Sequence, residues 1–272
     1  MINNSQFIPV LTTEAGRCLT TANWQDVGVK AAEFDLTSLL MKPGLAVLAA
    51  LPDLSTYTGW AAPSVLNATM PGSNRDGGYT IRSEYDGSRT HYTVDDILNL
   101  ISQLRPQMVI MPHGSRQVWR SLSDSIMPFF FVDDLPEQAD RPYGVYFYYD
   151  TTMSILSLVQ AVQKYQDMPC YVGGELSLPL MNELAEYGVQ FLSSDVPARE
   201  ACQGVVYYKD VTFSLKHDDQ TTNFDVIDDQ CHCPTCVQKL SCAYLHHLLE
   251  HTPLLCQRFL IQHNIYRCLD SL

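Results

Sequence analysis

The chain has 272 residues, of which 46% are hydrophobic and 17% charged, so it can form a sizeable core and is not a disordered chain. Its 17 basic and 30 acidic residues give a net charge of −13, which argues against strong autonomous binding of nucleic acid. No apolar run approaches the roughly 20 residues that a membrane-spanning helix needs. Nine cysteines without a secretory signal predict a reducing, cytoplasmic location.

The pattern of the first half changes near residue 78. Up to residue 70, short apolar stretches mix with proline and glycine, which predicts strands and loops. A strand-like segment follows at 79–83. Thr93 is then a predicted helix N-cap with Asp96 at the capping-box position, and the helix is expected to end before Pro106.

Strand-like and helical segments alternate through the second half. Strands are predicted at 108–111, 143–149, 170–172, 189–192 and 211–215, and helices at 153–165, 180–187 and 241–249. This alternation predicts a parallel sheet in an α/β fold, either a closed (β/α) barrel or an open doubly wound sheet. No Gly-x-Gly-x-x-Gly follows a strand, which disfavours a dinucleotide-binding fold.

A cysteine cluster near the C-terminus predicts one structural zinc ion. Cys231, Cys233 and Cys236 offer three thiolates, and a tetrahedral site needs one more ligand. The nearby candidates are His232, His246, His247, His251 and His263. Three thiolates and one histidine would leave no open position for a catalytic water. We therefore predict two regions, a barrel over 1–230 and a zinc-binding helical subdomain over 231–272.

Three C-terminal motifs occur in a fixed order: Cys231-x-Cys-x-x-Cys236, Ala243-Tyr-Leu-His-His-Leu248 and Ile261-Gln-His-Asn264. Together they resemble the zinc subdomain of the tRNA-guanine (queuine) transglycosylases. That family closes its site with the histidine of the final His-Asn, so the resemblance implies His263 as the fourth ligand. Relative to the family pattern, this chain has one extra residue between Cys236 and Ala243.

Upstream segments extend the resemblance over 169–272 and, more weakly, over 75–105. Gly188, Pro197 and Arg199 keep the spacing of a family stretch, and Gly77-Gly78-Tyr79 resembles the family's Asp-Ser-Gly-Gly-Tyr/Phe segment. The chain is shorter than full-length members, with material missing between residues 114 and 169. The resemblance implies these substrate-binding residues: Gly77, Gly78, Tyr79, His113 and Arg199. Arg199 stands where family members place an arginine that contacts RNA.

The resemblance also implies a (β/α)8 barrel of the TIM type that exchanges guanine in a tRNA anticodon for a 7-deazaguanine base. Family members use one aspartate as the nucleophile on the ribose C1′ and a second as general acid/base. A carboxylate can trap an oxocarbenium-like sugar, and a second one can move the purine protons.

This sequence departs from the family at the catalytic positions. Ser193 stands at the nucleophile position, with Asp195 two residues later, and Arg75 stands at the acid/base position, with Asp76 next to it. An arginine cannot accept the proton. At the acidic base-recognition position the chain has His113.

Three hypotheses follow from these departures. The first is a non-catalytic or altered subunit, similar to the eukaryotic paralogue that pairs with a catalytic subunit and contacts tRNA within that complex. The second is an active base-exchange enzyme that uses Asp195 as nucleophile and Asp76 as acid/base. The third is a protein that binds a deazaguanine base without tRNA. Family members dimerise near the zinc region, so the resemblance implies a homodimer or heterodimer.

Overall fold

The computed structural model describes residues 5–72, 77–209 and 211–272 and contains twelve strands in this range. The strands are β1 Gln6–Pro9, β2 Ala32–Asp35, β3 Ser64–Asn67, β4 Tyr79–Arg82, β5 Arg89–Tyr92, β6 Met108–Ile110, β7 Met127–Phe131, β8 Gly144–Tyr149, β9 Cys170–Gly174, β10 Phe191–Ser194, β11 Val205–Tyr208 and β12 Val211–Ser214. The helices are α1 Thr21–Val27, α2 Leu36–Leu39, α3 Leu45–Leu48, α4 Leu54–Thr58, α5 Val94–Leu104, α6 Ile155–Gln163, α7 Leu178–Glu186, α8 Val196–Cys202, α9 Cys242–His251 and α10 Pro253–Ser271.

Eight parallel strands form one sheet in the order β1-β10-β9-β8-β7-β6-β3-β2. Its two outer strands, β1 and β2, meet through a parallel bridge between Val10 and Glu33, and the Leu11 amide donates to the Glu33 carbonyl at 2.9 Å. The sheet thus closes on itself, which confirms the barrel and excludes the open doubly wound alternative.

Apolar side chains fill the barrel and cover its outer face. The interior cluster consists of Ile8, Ala31, Val65, Ile110, Phe129, Tyr146 and Tyr171, all buried. Most of the other buried apolar residues lie in a second cluster between the strands and the surrounding helices. Because successive residues of a strand point to opposite faces, most barrel strands contribute to both clusters.

The strand and helix predictions from residue 78 onward are largely confirmed. In α5 the Thr93 hydroxyl accepts from the Asp96 amide, and the Asp96 carboxylate accepts from the Thr93 amide, which completes the predicted capping box. For the first 70 residues the prediction is wrong in part, since α1 to α4 are helical. These helices have four to seven residues, too few to display a helical period.

Two connections of the barrel carry no α-helix. Only a single 3-10 turn lies between β6 and β7, at Trp119–Ser121, and another follows β7 at Val132–Asp134. Aromatic packing covers the outer face there: Trp119 contacts Phe130 edge-on, with ring centroids 5.5 Å apart, and the Arg141 guanidinium lies 4.7 Å from the Trp119 ring. Both connections lie within 114–169, the stretch in which the sequence analysis expects missing material.

The C-terminal segment packs directly on the barrel. The long helix α10 contacts α8, α9, β11 and β1. The antiparallel hairpin of β11 and β12 precedes the cysteine cluster. The boundary at residue 230 stays a prediction. Of the helices that the structure describes, none is long and apolar enough to cross a bilayer.

Candidate functional site

Four side chains converge in the C-terminal segment: Cys231, Cys233, Cys236 and His263. All four are buried, and the His263 Nδ1 atom lies 3.7, 3.6 and 3.3 Å from the three sulfurs in chain order. Zinc–sulfur and zinc–nitrogen bonds of ~2.3 and ~2.1 Å at tetrahedral angles place nitrogen about 3.6 Å from each sulfur. The donor set and its spacing fit one zinc ion, as predicted.

A hydrogen bond at Nε2 of His263 orients the ring so that Nδ1 faces the sulfurs. Its Nε2 lies 2.6 Å from the Tyr207 carbonyl, which can only accept, so Nε2 carries the proton and Nδ1 presents its lone pair to the sulfurs. Hydrogen bonds from Cys233 and Cys236 lower the pKa of Cys231, which favours its thiolate.

The loop that carries the cysteines is held from both sides. The Cys236 amide donates to the Cys233 sulfur at 3.2 Å, and the Thr235 hydroxyl donates to the Phe259 carbonyl of α10 at 2.6 Å. A zinc ion here would hold the loop, α10 and β11 together and would supply structural cross-linking. Of the other histidines considered, none belongs to this cluster.

Asn264, next to the ligand histidine, is fully buried and joins three elements. Its Oδ1 accepts from the Tyr207 amide at 3.0 Å, and its Nδ2 donates to the carbonyls of Pro197 and Val205 at 3.1 and 3.0 Å. The His-Asn pair thus has two functions: the histidine faces the sulfurs, and the asparagine fastens α10 to α8 and β11.

A second polar cluster lies inside the barrel around Glu33 of β2. This carboxyl is 4% exposed and accepts from the Tyr171 hydroxyl at 2.6 Å and from the Asn67 amide at 2.8 Å. Ser193 of β10 is buried beside it, but its hydroxyl lies outside strict hydrogen-bond geometry. Ser193, at the nucleophile position, therefore faces a network that is already satisfied.

Burial raises the pKa of Glu33 above its usual 4.5, although the nearby Ser193 hydroxyl and the hydrogen bonds from Tyr171 and Asn67 oppose this. The folded protein then retains a proton that the unfolded chain loses, so stability is full below pH 4.5 and falls as pH rises to the raised pKa. Glu33→Gln cannot titrate. We expect the unfolding free energy of wild type to fall relative to Glu33→Gln by up to about 1.4 kcal/mol per pH unit between pH 4.5 and the raised pKa, with no further change above it.

Chemical denaturation at a series of pH values measures this difference. Glu186→Gln, which changes an exposed carboxylate of α7, is the matched control and should follow wild type. If the free energies of unfolding of wild type and Glu33→Gln differ by the same amount at every pH above 4.5, the pKa of Glu33 is not raised in the folded protein.

Asp195 lies just past the end of β10, at the N-cap position of α8. The strand alternation that would align it with Ser193 therefore does not reach it. Its Oδ1 pairs with the Arg199 Nη1 at 3.1 Å, and Arg199 also pairs with Glu175 after β9. Burial raises the pKa of Asp195, Arg199 lowers it, and Glu175 adds to the rise. Both carboxylates engage the guanidinium that was predicted to contact RNA.

The loop after β6 carries His113, whose ring stacks on Phe131 at 3.8 Å between centroids and whose Nδ1 lies 3.0 Å from the Asp134 carboxylate. The Tyr79 hydroxyl donates to the His113 carbonyl at 2.7 Å, so the structure brings these two predicted residues together. Gly78 lies against His91, where an added Cβ would come within 2.6 Å of the ring, and Gly77 has a φ of +82°. Asp76 and Arg75 lie outside the described residues.

The sequence did not predict the three residues of the polar cluster inside the barrel: Glu33, Asn67 and Tyr171. The available signal was weak. Glu33 stands between the apolar residues Ala32 and Phe34 of β2, which ends in a second carboxylate, Asp35, and Asn67 ends the next barrel strand. A carboxylate between apolar residues of a short strand is the pattern that could have indicated an internal polar network.

Comparison with known proteins gives a consistent set of relatives. The family model described as Queuine tRNA-ribosyltransferase matches residues 144–272. Proteins named Queuine tRNA-ribosyltransferase from Protochlamydia amoebophila and Clostridium acetobutylicum are 31% and 30% identical over 101 and 119 residues. These alignments cover 37% and 43% of this chain but only 26% and 31% of those relatives.

A longer alignment joins the chain to the protein of the same name from Thermotoga neapolitana. The two are 22% identical over 311 positions, which cover 97% of this chain and 84% of the relative. Because this alignment is longer than the 272 residues of the chain, the relative carries segments that this chain lacks.

Proposed function

Because the chain belongs to the queuine tRNA-ribosyltransferase family, we propose that it serves 7-deazaguanine modification of tRNA as an altered or non-catalytic subunit. The observation that carries this proposal is the arrangement at the end of β10. Ser193 occupies the nucleophile position, and the next carboxylate, Asp195, is paired with Arg199. A base-exchange enzyme needs a free carboxylate aligned with the sugar, and an error of about 1 Å in such a position can cost about a hundredfold in rate.

Ser193 is a poor substitute for an aspartate. A serine nucleophile needs an adjacent base that accepts its proton. The group beside it is Glu33, but the Ser193 hydroxyl makes no hydrogen bond to this carboxyl within strict geometry, as a nucleophile and its base would. Asn67 and Tyr171 already donate to its two oxygens. This arrangement supports a structural role for the barrel interior.

Charge supports a partner for RNA binding. The chain carries −13 overall, and Arg199 is balanced by Glu175 and Asp195. Strong tRNA binding would then require a second, more basic subunit. Exposed apolar side chains flank the cysteine cluster in sequence, among them Phe224, Val237 and Tyr244 with 79%, 55% and 49% exposure, and they favour a homodimer or heterodimer contact there.

Incorporation of labelled guanine into tRNA tests the proposal. The purified chain alone should show no exchange above background, and addition of the chain to a catalytic paralogue should change that enzyme's exchange rate or tRNA affinity. Asp195→Asn should leave both results unchanged, as should the matched surface control Asp167→Asn.

Exchange by the chain alone that Asp195→Asn abolishes would instead establish an active enzyme with Asp195 as nucleophile. If the chain neither exchanges guanine nor binds a paralogue but binds a free 7-deazaguanine, it is a base-binding protein. Either result overturns the subunit proposal.

A further inference from the structure

A second group of metal-ligating side chains lies on α9, apart from the cysteine cluster. His246, His247 and Glu250 place one ligand atom each within 4.8 Å of one another. The first histidine is buried, whereas the other two side chains are exposed to solvent. The family function proposed above makes no use of these residues.

The tautomer of His246 is fixed by its surroundings. Its Nδ1 lies 2.6 Å from the Leu215 carbonyl, and because a carbonyl only accepts, Nδ1 must carry the proton. Nε2 therefore has a free lone pair, and it lies 3.7 Å from the Glu250 Oε1 and 3.4 Å from the Thr221 hydroxyl. A histidine held through its other nitrogen by a backbone carbonyl is the usual arrangement of a metal ligand.

Helical spacing supplies the rest of the geometry. His246 and Glu250 are four residues apart, so their side chains share one face of the helix. Around a metal with bonds of about 2.1 Å at tetrahedral angles, nitrogen and oxygen lie about 3.4 Å apart. The present 3.7 Å needs only a small rotation of the exposed Glu250 side chain. The His247 ring lies edge-on to the His246 ring, with centroids 5.3 Å apart.

The ligand types select the metal. Two imidazoles and one carboxylate suit Zn²⁺, Co²⁺, Ni²⁺ or Cu²⁺ and do not suit Ca²⁺ or Mg²⁺, which take mainly oxygen ligands. We propose that His246, His247 and Glu250 form a second, solvent-accessible site for a divalent transition metal. Three protein ligands leave at least one position for water, so this site binds more weakly than the four-ligand cysteine cluster.

Titration of tag-free protein that retains its tightly bound zinc tests the site. With Co²⁺ or Ni²⁺ as the probe, calorimetry should find one additional equivalent per chain. His247→Ala and Glu250→Gln should each weaken this equivalent by about tenfold or more. Both side chains are exposed, so thermal melting and the tightly bound zinc should be unchanged.

His251→Ala is the matched control, because His251 is exposed at the end of the same helix but does not belong to the group. It should bind the additional equivalent like wild type. Co²⁺ bound there should show no thiolate-to-cobalt charge-transfer absorption, which separates this site from the cysteine cluster. Absence of a second equivalent in wild type, or uptake that His247→Ala and Glu250→Gln do not weaken, would overturn the proposal.

Discussion

Cys233→Ser is expected to abolish tight zinc binding and to destabilise the protein more than any other single change considered. Its sulfur belongs to a buried four-ligand cluster that connects the loop at 231–236 to α10. Structural zinc contributes about 10–16 kcal/mol in small zinc modules, where no other core exists. Here α10 also packs on the barrel, so we expect a loss of at least about 4 kcal/mol, the range typical of metal loss.

Elemental analysis after dialysis against a mild chelator should find one zinc per wild-type chain and none in the variant. A loss of about 4 kcal/mol corresponds to a fall of roughly 8–16 °C in melting temperature for a chain of this size. Cys18→Ser, which changes a half-buried cysteine outside the cluster, should retain its zinc. A Cys233→Ser protein that keeps its zinc and melts like wild type would show that the cluster is not the metal site.

Asn264→Ala should produce the second largest effect, a loss of roughly 3–5 kcal/mol in the free energy of unfolding. The substitution leaves the Tyr207 amide and the carbonyls of Pro197 and Val205 without their partner, and each buried unpaired group costs about 1–3 kcal/mol. Asn264 is not a zinc ligand, so the variant should still bind one zinc ion per chain.

Equilibrium denaturation of the zinc-loaded variant measures this loss. Asn182→Ala is the matched control, because Asn182 makes an exposed hydrogen bond to Ser271 at the end of α10. The control should lose no more than about 0.5 kcal/mol. Equal losses in the two variants would contradict the role of Asn264 as the buried connection between α10, α8 and β11.

Much of the alternation of strands and helices from α5 onward was predictable because local signals bound those elements, although β7, α8 and β11 were not predicted. The Thr93 and Asp96 pair is an example, since a cap depends on residues three positions apart. The short helices α2, α3 and α4 escaped because four or five residues cannot show a 3.6-residue period. Their N-terminal signals were present in the sequence, as in Asp53, whose carboxylate caps α4.

The cysteine cluster could be predicted from the sequence, whereas the polar cluster around Glu33 could not. Three ligands of the metal site lie within six residues, so spacing predicted them, and the resemblance supplied His263. The barrel cluster joins Glu33 to Asn67 and Tyr171, which lie 34 and 138 residues further along the chain. Only closure of the barrel brings these side chains together, and no local pattern encodes that contact.

The pairing of Arg199 with Glu175 could likewise not be predicted from the sequence. Its spacing from Pro197 suggested an arginine that contacts RNA, but Glu175 comes from the end of a different strand. In parallel barrels the carboxyl ends of all strands meet at one end, so charges distant in the chain become neighbours. The contact neutralises the residue on which the RNA prediction depended.

The proposal that the chain has no working nucleophile is tested most directly by a covalent trap. Labelled tRNA is incubated with the chain and the mixture is separated under denaturing conditions, with a catalytic paralogue as the positive control. We expect the paralogue to retain label and this chain to retain none, in wild type and in Asp195→Asn alike. A labelled adduct that forms with wild type and disappears in Asp195→Asn would show that the carboxylate after β10 attacks the sugar, contrary to the subunit role.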